Sequence, residues 1–399
     1  MSRIVKVSTL VVIAVFLIKA MVLVATAADS PVKFSVDVGA QYTDNRDSSE
    51  DAVSSFDMSL KPRVNMNLSL EENFLDLYYT PCYTYRTRPS DTQNDSELFH
   101  DLGVNIKYMP APRIDTRLLE KFSYTDDPAI DEGGTTLRRD SSYIVNSAEA
   151  GVNYLLSRRS NLDFFGRHSI KRYDEASVAT EQDEDSVSAG LTMMYQVAKN
   201  VAMLAMADVG SQQYETSFDR GFDSMSGGLG LESILSKNLR SGLRLGWKGV
   251  DYDDSALDSE SAPYADLSVE VKTIPSTRIT AGVGYALKGA GVYPYSSQKS
   301  TDVHGKLEWD AVANLTLAVS GTYRVGEYDS DSVSISAPAD AYYDEQSGEE
   351  KAIIATTEAA YKIGANTSIK FVQMYEDVDS DVSSSFTRNT SNLVLSRQF

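Results

Sequence analysis

The chain has a single cysteine, Cys82, in 399 residues. No intramolecular disulfide can form, and no cysteine near the N-terminus is available for lipid attachment. Histidines are almost as scarce: His100, His168 and His304 are the only three, and none sits in a metal-ligand spacing such as H-E-x-x-H. There is no G-x-S-x-G elbow and no phosphate-binding or dinucleotide-binding glycine loop. Gly227-Gly228-Leu229-Gly230 is a glycine cluster within a strand pattern, where close packing explains it better than phosphate binding. The sequence therefore offers no catalytic residue, no metal site and no cofactor site, and the chain is read as no enzyme. Positive charge is also in deficit, with 37 Lys and Arg against 57 Asp and Glu for a net charge of −20. Such a chain is a poor partner for nucleic acid, whose phosphates must be neutralised by Lys and Arg. Beyond the first residues no run approaches the ~18–20 apolar residues that a membrane-spanning helix needs.

The one apolar run that exists has the form of an export signal. Arg3 and Lys6 make a positive n-region, Val7 to Ile18 is apolar, and Ala25-Thr26-Ala27 offers an A-x-A cleavage site. The expected division is a signal peptide over 1–27 and one domain over 28–399. Removing Arg3, Lys6 and Lys19 takes three positive charges from −20 and leaves −23 on the mature chain. The acids cluster at Asp44 to Asp51, Asp126 to Glu132, Asp174 to Asp185, Asp251 to Glu260 and Glu327 to Glu350, which read as solvated loops. None has the D-x-D-x-D-G calcium pattern.

Between those runs the chain alternates. From Ser54 to Leu70, the apolar residues Phe56, Met58, Leu60, Val64, Met66, Leu68 and Leu70 interleave with Asp57, Ser59, Lys61, Arg63, Asn65, Asn67 and Ser69. Period-2 alternation places one set on each face of an extended strand. The stretch is longer than the strands usual in soluble sheets and suits a tilted strand crossing a bilayer, which needs roughly 9–11 residues. The same pattern recurs to give eighteen expected strands, the first over Lys33 to Tyr42 and the last over Phe386 to Phe399. Eight short turns rich in Asn, Pro, Ser and Lys alternate with nine longer, acidic connections. An even strand count with short turns on one side and long loops on the other describes a closed antiparallel up-and-down β-barrel of an outer membrane, all-β in class. A barrel is also the fold that satisfies every backbone group in lipid without helices.

If the apolar parity faces lipid, the other parity lines a hydrated lumen. The candidate lumen-lining residues are Lys61, Arg63, Arg86, Arg117, Lys121, Arg167, Lys171, Arg240, Arg244 and Arg324, with Asp115 and Asp163 among them. A basic path of this kind suits an anionic or hydroxyl-rich solute, and Arg also pairs with inward acids for stability alone. Tyr42, Tyr79, Tyr85 and Tyr124 fall on the lipid parity near strand ends, where aromatic girdles belong. Tyr78 and Tyr173 point inward, where stacking on a sugar is available to them. The terminal Phe399, with Leu395 and Leu393 at two-residue steps, resembles the signal read by the barrel-assembly machinery, although Arg397 stands where that signal usually has an aromatic residue.

The run Gln41-Tyr42-Thr43-Asp44-Asn45 ending the first strand, followed by a strand pair split at Glu71-Glu72-Asn73, resembles the β-barrel porin type 2 group. The likeness extends through the meander of the whole mature chain. Members are outer-membrane barrels associated with exopolysaccharide or capsule biosynthesis. The resemblance implies a conduit for a secreted polysaccharide, with outer-membrane lipid, periplasmic polysaccharide export proteins and the polymer itself as partners. It supplies no catalytic residues. Two other functions suit the same residues: a general diffusion porin for small solutes, and an adhesion barrel acting through acidic loops such as Ser330 to Glu349.

Overall fold

The computed structural model describes residues 31–399 except 71, 90–93, 127–140, 216–219, 275, 293 and 334–346. The signal-peptide expectation, the acidic run after Asp126 and most of the loop from Ser330 to Glu349 lie outside the described residues. Within them are eighteen strands: β1 (Val32–Thr43), β2 (Ser55–Leu70), β3 (Asn73–Arg86), β4 (Ser96–Ala111), β5 (Ile114–Thr125) and β6 (Tyr143–Ser157). Next come β7 (Ser160–Tyr173), β8 (Glu184–Ala198), β9 (Val201–Tyr214), β10 (Phe222–Ser236), β11 (Leu239–Tyr252) and β12 (Glu260–Ile274). The last six are β13 (Thr277–Gly289), β14 (Ser297–Val312), β15 (Leu315–Tyr328), β16 (Gly348–Lys362), β17 (Thr367–Ser380) and β18 (Phe386–Gln398). A short helix, α1 (Ala176–Gln182), interrupts the β7–β8 connection.

Every strand pairs antiparallel with its sequence neighbours, and β1 also pairs with β18 from Ser35 opposite Gln398 to Thr43 opposite Thr390. Closure leaves no free edge, so the ladder satisfies the backbone polar groups that lipid cannot. The last residue is tied in as well, because the Phe399 N–H donates to the Phe34 carbonyl at 2.9 Å. Connections at the end holding both termini have two to four residues, while those at the other end have five to nineteen. By the barrel rule the first end is periplasmic and the second extracellular.

The register carries two parities around the whole wall. On β2, Phe56, Met58 and Leu60 are exposed, and their partners across the ladders include Tyr42, Tyr83 and Tyr85. Exposed apolar residues continue on the same rows through Leu229, Leu245, Trp247, Val283, Val303, Val319 and Phe371. These side chains have no apolar core behind them, and exposure of such a continuous band fits lipid rather than water. Met66 shares the outward row but is only 7% exposed, opposite Leu77 at 5%, and it lies near the periplasmic end of β2. Met66 is therefore shielded, although it stands on the apolar parity expected to face lipid.

Three strands start three to five residues ahead of their alternating stretch. β14 begins at Ser297 rather than Asp302, because Ser297-Gln298-Lys299-Ser300 pairs with β13 yet has no apolar face. Those four residues are covered by other connections instead of lipid, so period 2 is not imposed on them. β12 likewise begins at Glu260 and β16 at Gly348.

Candidate functional site

The inward parity encloses a lumen whose side chains are polar but seldom unpaired. Arg117 Nε donates to Glu149 at 2.9 Å, and its terminal nitrogens grip both oxygens of Asp163. Arg167 reaches the other oxygen of Glu149 at 2.6 Å. Lys171 meets Glu184 at 3.0 Å, Arg324 meets Asp302 at 3.1 Å, and Arg244 lies between Glu232 and Asp266 at 3.2 and 3.7 Å. Arg86, buried at the extracellular end of β3, pairs with Asp126 and Glu97. Six of the ten candidate lumen cations are thus neutralised by acids on the same parity. Glu149, Glu184, Glu232 and Asp302 were not singled out from the sequence, where they look like any other polar position of a strand.

The other four, Lys61, Arg63, Lys121 and Arg240, have no carboxylate within ion-pair distance among the described residues. Three of them share one wall. Tyr78 lies flat across Gly103, where a Cβ would collide with its ring, and the Arg63 guanidinium sits 4.2 Å above the ring centre. Gly103 is in turn the register partner of Lys121. Lys61 and Lys121 both line a cavity of about 580 Å³, together with Cys82, Thr84 and Asp101. The result is a shelf of two amines and an arginine–tyrosine stack facing water. Arg240 belongs to a separate cavity of about 760 Å³ at the periplasmic end, beside Arg158 and Arg159.

Flat seating on glycine recurs on this face. A Cβ on Gly151 would meet Arg117, on Gly190 Phe165, on Gly282 His304, and on Gly228 or Gly246 Tyr264. The glycine cluster of β10 thereby finds its reason in packing: the missing side chain lets an inward ring lie against the wall and keeps the lumen open. His304 faces Asp302 at 3.4 Å on the inward parity, whereas His100 and His168 lie outward, His100 stacked between Tyr79 and Tyr124.

The extracellular mouth is bridged. The β13–β14 connection starts at Ala290, and its carbonyl accepts from the Tyr214 hydroxyl and from Arg220 Nη2, both at 3.1 Å. Arg220 also donates to the Tyr295 carbonyl at 2.7 and 3.1 Å and is fully buried, with its guanidinium 4.2 Å from the centre of the Tyr214 ring. Tyr214 ends β9, four strands away from β13 around the wall. Contact over that span requires the connection to run across the opening. On its other side Tyr295 packs with Tyr328, Val333 and Val382, so it touches strands from both halves of the barrel. α1 covers a further part, with Val178 against the inward Tyr143 and Tyr173. At its C-terminus burial pushes the Asp183 carboxyl above the ordinary range, against the Tyr173 N–H donated to it at 2.7 Å and the nearby Arg172. The acidic run Asp174 to Asp185 is therefore partly a packed cover rather than a fully solvated loop.

A closed eighteen-stranded antiparallel barrel with an apolar exterior, a polar interior and a bridged mouth defines a porin-like channel of the outer membrane. The comparisons with known proteins agree. The profile of the "Putative beta-barrel porin 2" family matches residues 180–399, and the chain belongs to that family. Among solved structures, Acinetobacter baumannii OccAB4 is similar over 93% of this chain and 99% of its own at 11% identity, with a TM-score of 0.50. Pseudomonas aeruginosa OpdK with vanillate aligns over 92% and 98% at 12% identity and 0.49, and OprD of the same organism over 92% and 95% at 10% and 0.44. At 11% identity the likeness to OccAB4 concerns the fold alone. No curated protein matches the sequence.

Proposed function

We propose that the protein is a passive channel for small hydrophilic solutes across the outer membrane. The observation that supports this most is the β13–β14 connection held across the mouth by Arg220. A bridged opening favours small molecules passing on either side of the bridge over a polymer threading through the centre. The lumen wall supports it too, because paired charges on successive rows give a hydrated lining with many weak contacts and no deep trap. On the shelf of Lys61, Arg63, Tyr78 and Lys121 the cations stand outside ion pairs but beside Asp37, Asp57 and Asp101, so a small solute of either sign finds weak contacts there. Conveyance of a polysaccharide, the expectation drawn from the family resemblance, has no residue in this lumen that argues for it over the smaller solutes. Export through a signal peptide ending near Ala27 and assembly through the terminal Phe399 belong to the same proposal.

Liposome swelling with purified protein tests the reading. Uptake of monosaccharides and small organic acids, declining steeply with solute size, is the expected result. Liposomes that stay closed to monosaccharides, or a gene deletion that abolishes exopolysaccharide secretion, would defeat it.

A further inference from the structure

The outward parity is apolar through most of the wall, and its polar exceptions include Glu120, Asn146 and His168 on the neighbouring strands β5, β6 and β7. Glu120 lies on the outward row of β5 between Leu118 and Phe122, four residues below Tyr124 and six above Ile114. At ~3.3 Å per residue and a tilt near 40° that is about 10 Å beneath the upper aromatic belt, well inside the hydrocarbon. Its carboxylate accepts from Asn146 Nδ2 at 2.7 Å. Glu120 is the register partner of Ala148, and Ala148 is the partner of His168, so the three form one cross-strand row. His168 Nε2 in turn meets Asp185 at 3.2 Å and is about half exposed. Directly below this row the wall is dented. Ala150, Gly166 and Ala189 floor an outward concavity of about 580 Å³, rimmed by Ile106, Val152 and Phe164.

Lipid is a poor neighbour for such a face. Acyl chains fill a dent but offer no hydrogen-bond partner to a carboxylate or an imidazole, and ionisable groups at this depth cost several kcal/mol or are met by protein. Small residues at a membrane-facing surface let two walls approach closely, and polar residues then bond across the gap. The charges are also arranged for self-association: an acid and a base flank Ala148 in one row at equal distance on either side. A two-fold axis through Ala148 brings Glu120 of one chain against His168 of the other, twice, as an isologous contact demands. We propose that the outward face of β5–β8 is the docking surface for a second copy of this chain, with Ala148 on the axis and the dent taking the other copy's apolar rim.

The test is disulfide trapping in native outer membranes. In a Cys82→Ser background, Ala148→Cys should cross-link on mild oxidation to a homodimer. Val283→Cys, outward on β13 and more exposed than Ala148, should stay monomeric. Adding Glu120→Gln, which keeps size and an acceptor for Asn146 but removes the charge, should lower the cross-linked yield roughly tenfold, the order expected for a desolvated hydrogen bond to a carboxylate. Native mass spectrometry of the unmodified protein in nanodiscs covers the case in which a variant assembles badly, and a dimer is expected there. Three results would overturn the proposal: equal cross-linking at both cysteines, which is random collision; a cross-link to a different protein; or a monomer that merely retains lipid.

Discussion

Arg220 Nη2 donates to the carbonyl oxygen of Tyr295 at 2.7 Å and thereby ties the β9–β10 connection to the β13–β14 connection across the mouth. The bond joins segments 75 residues apart, and the guanidinium is wholly buried. Replacing Arg220 by Ala removes both bonds donated to the Tyr295 carbonyl and one of the two donated to the Ala290 carbonyl, at a cost of about 1–3 kcal/mol. The bridge should loosen while the barrel stays closed, because no ladder bond is lost. Single-channel recording of Arg220→Ala is expected to give a larger and noisier conductance than the parent.

The assignment of the two parities is tested on the neighbouring strands β11 and β12. Leu245 is outward and half exposed, whereas Ser268, reached across the ladder from Gly242, is inward. Leu245→Arg places a charge at mid-wall in lipid and should cost about 2–4 kcal/mol of folding stability. Ser268→Arg enters the lumen and should assemble like the parent. Urea-driven unfolding in detergent or lipid vesicles separates the two.

The glycine seats make a contrast within three residues. A Cβ at Gly228 would stand 2.5 Å from the Leu245 carbonyl and strike the Tyr264 hydroxyl, while one at Gly227 meets only the Met206 carbonyl at 3.8 Å. Gly228→Ala should therefore destabilise by about 1–3 kcal/mol, as overpacking does, and Gly227→Ala should be nearly silent. Thermal loss of the folded electrophoretic band would report both.

Asp183 gives a pH dependence. Burial raises its carboxyl above the ordinary range, so the folded state holds a proton that the unfolded chain has already released. Stability from this group therefore falls as pH rises through the window between the ordinary and the raised value, and the penalty is absent below it. Asp183→Asn keeps an acceptor for the Tyr173 N–H and removes the charge. It should raise the thermal midpoint at pH ~8 and lose that advantage at pH values below the ordinary carboxylate range, where the parent is protonated as well.

The wall was legible in the sequence because lipid and water impose period 2 on every strand between them, and Phe56 to Leu60 or Leu393 to Leu395 cannot be placed otherwise. Where neither solvent decides, the pattern failed. Ser297 to Ser300 form a strand without alternation because they are covered by Tyr252, Ser332 and their neighbours. α1 went unseen because its seven residues have no side-chain N-cap and stand in an acidic run. Arg220 looked like one basic residue in a polar connection. The basic series on the inward parity was visible, but the acids that neutralise six of its members come from other strands, and only register brings Glu149 between Arg117 and Arg167. Glu120 and Asn146 escaped notice for the same reason, since neither strand alone shows that they meet.

Cys82 offers the most direct measurement. It is the only cysteine, and it shares the inward row of β3 with Thr80 and Thr84 along the lumen cavity. A small, charged, membrane-impermeant thiol reagent applied to a single reconstituted channel should reach it through water. Covalent modification is expected in the folded state, with a lasting stepwise fall in current that a Cys82→Ser channel does not show. A current unchanged by the reagent, with Cys82 labelled only after unfolding, would contradict a water-filled lumen on that parity.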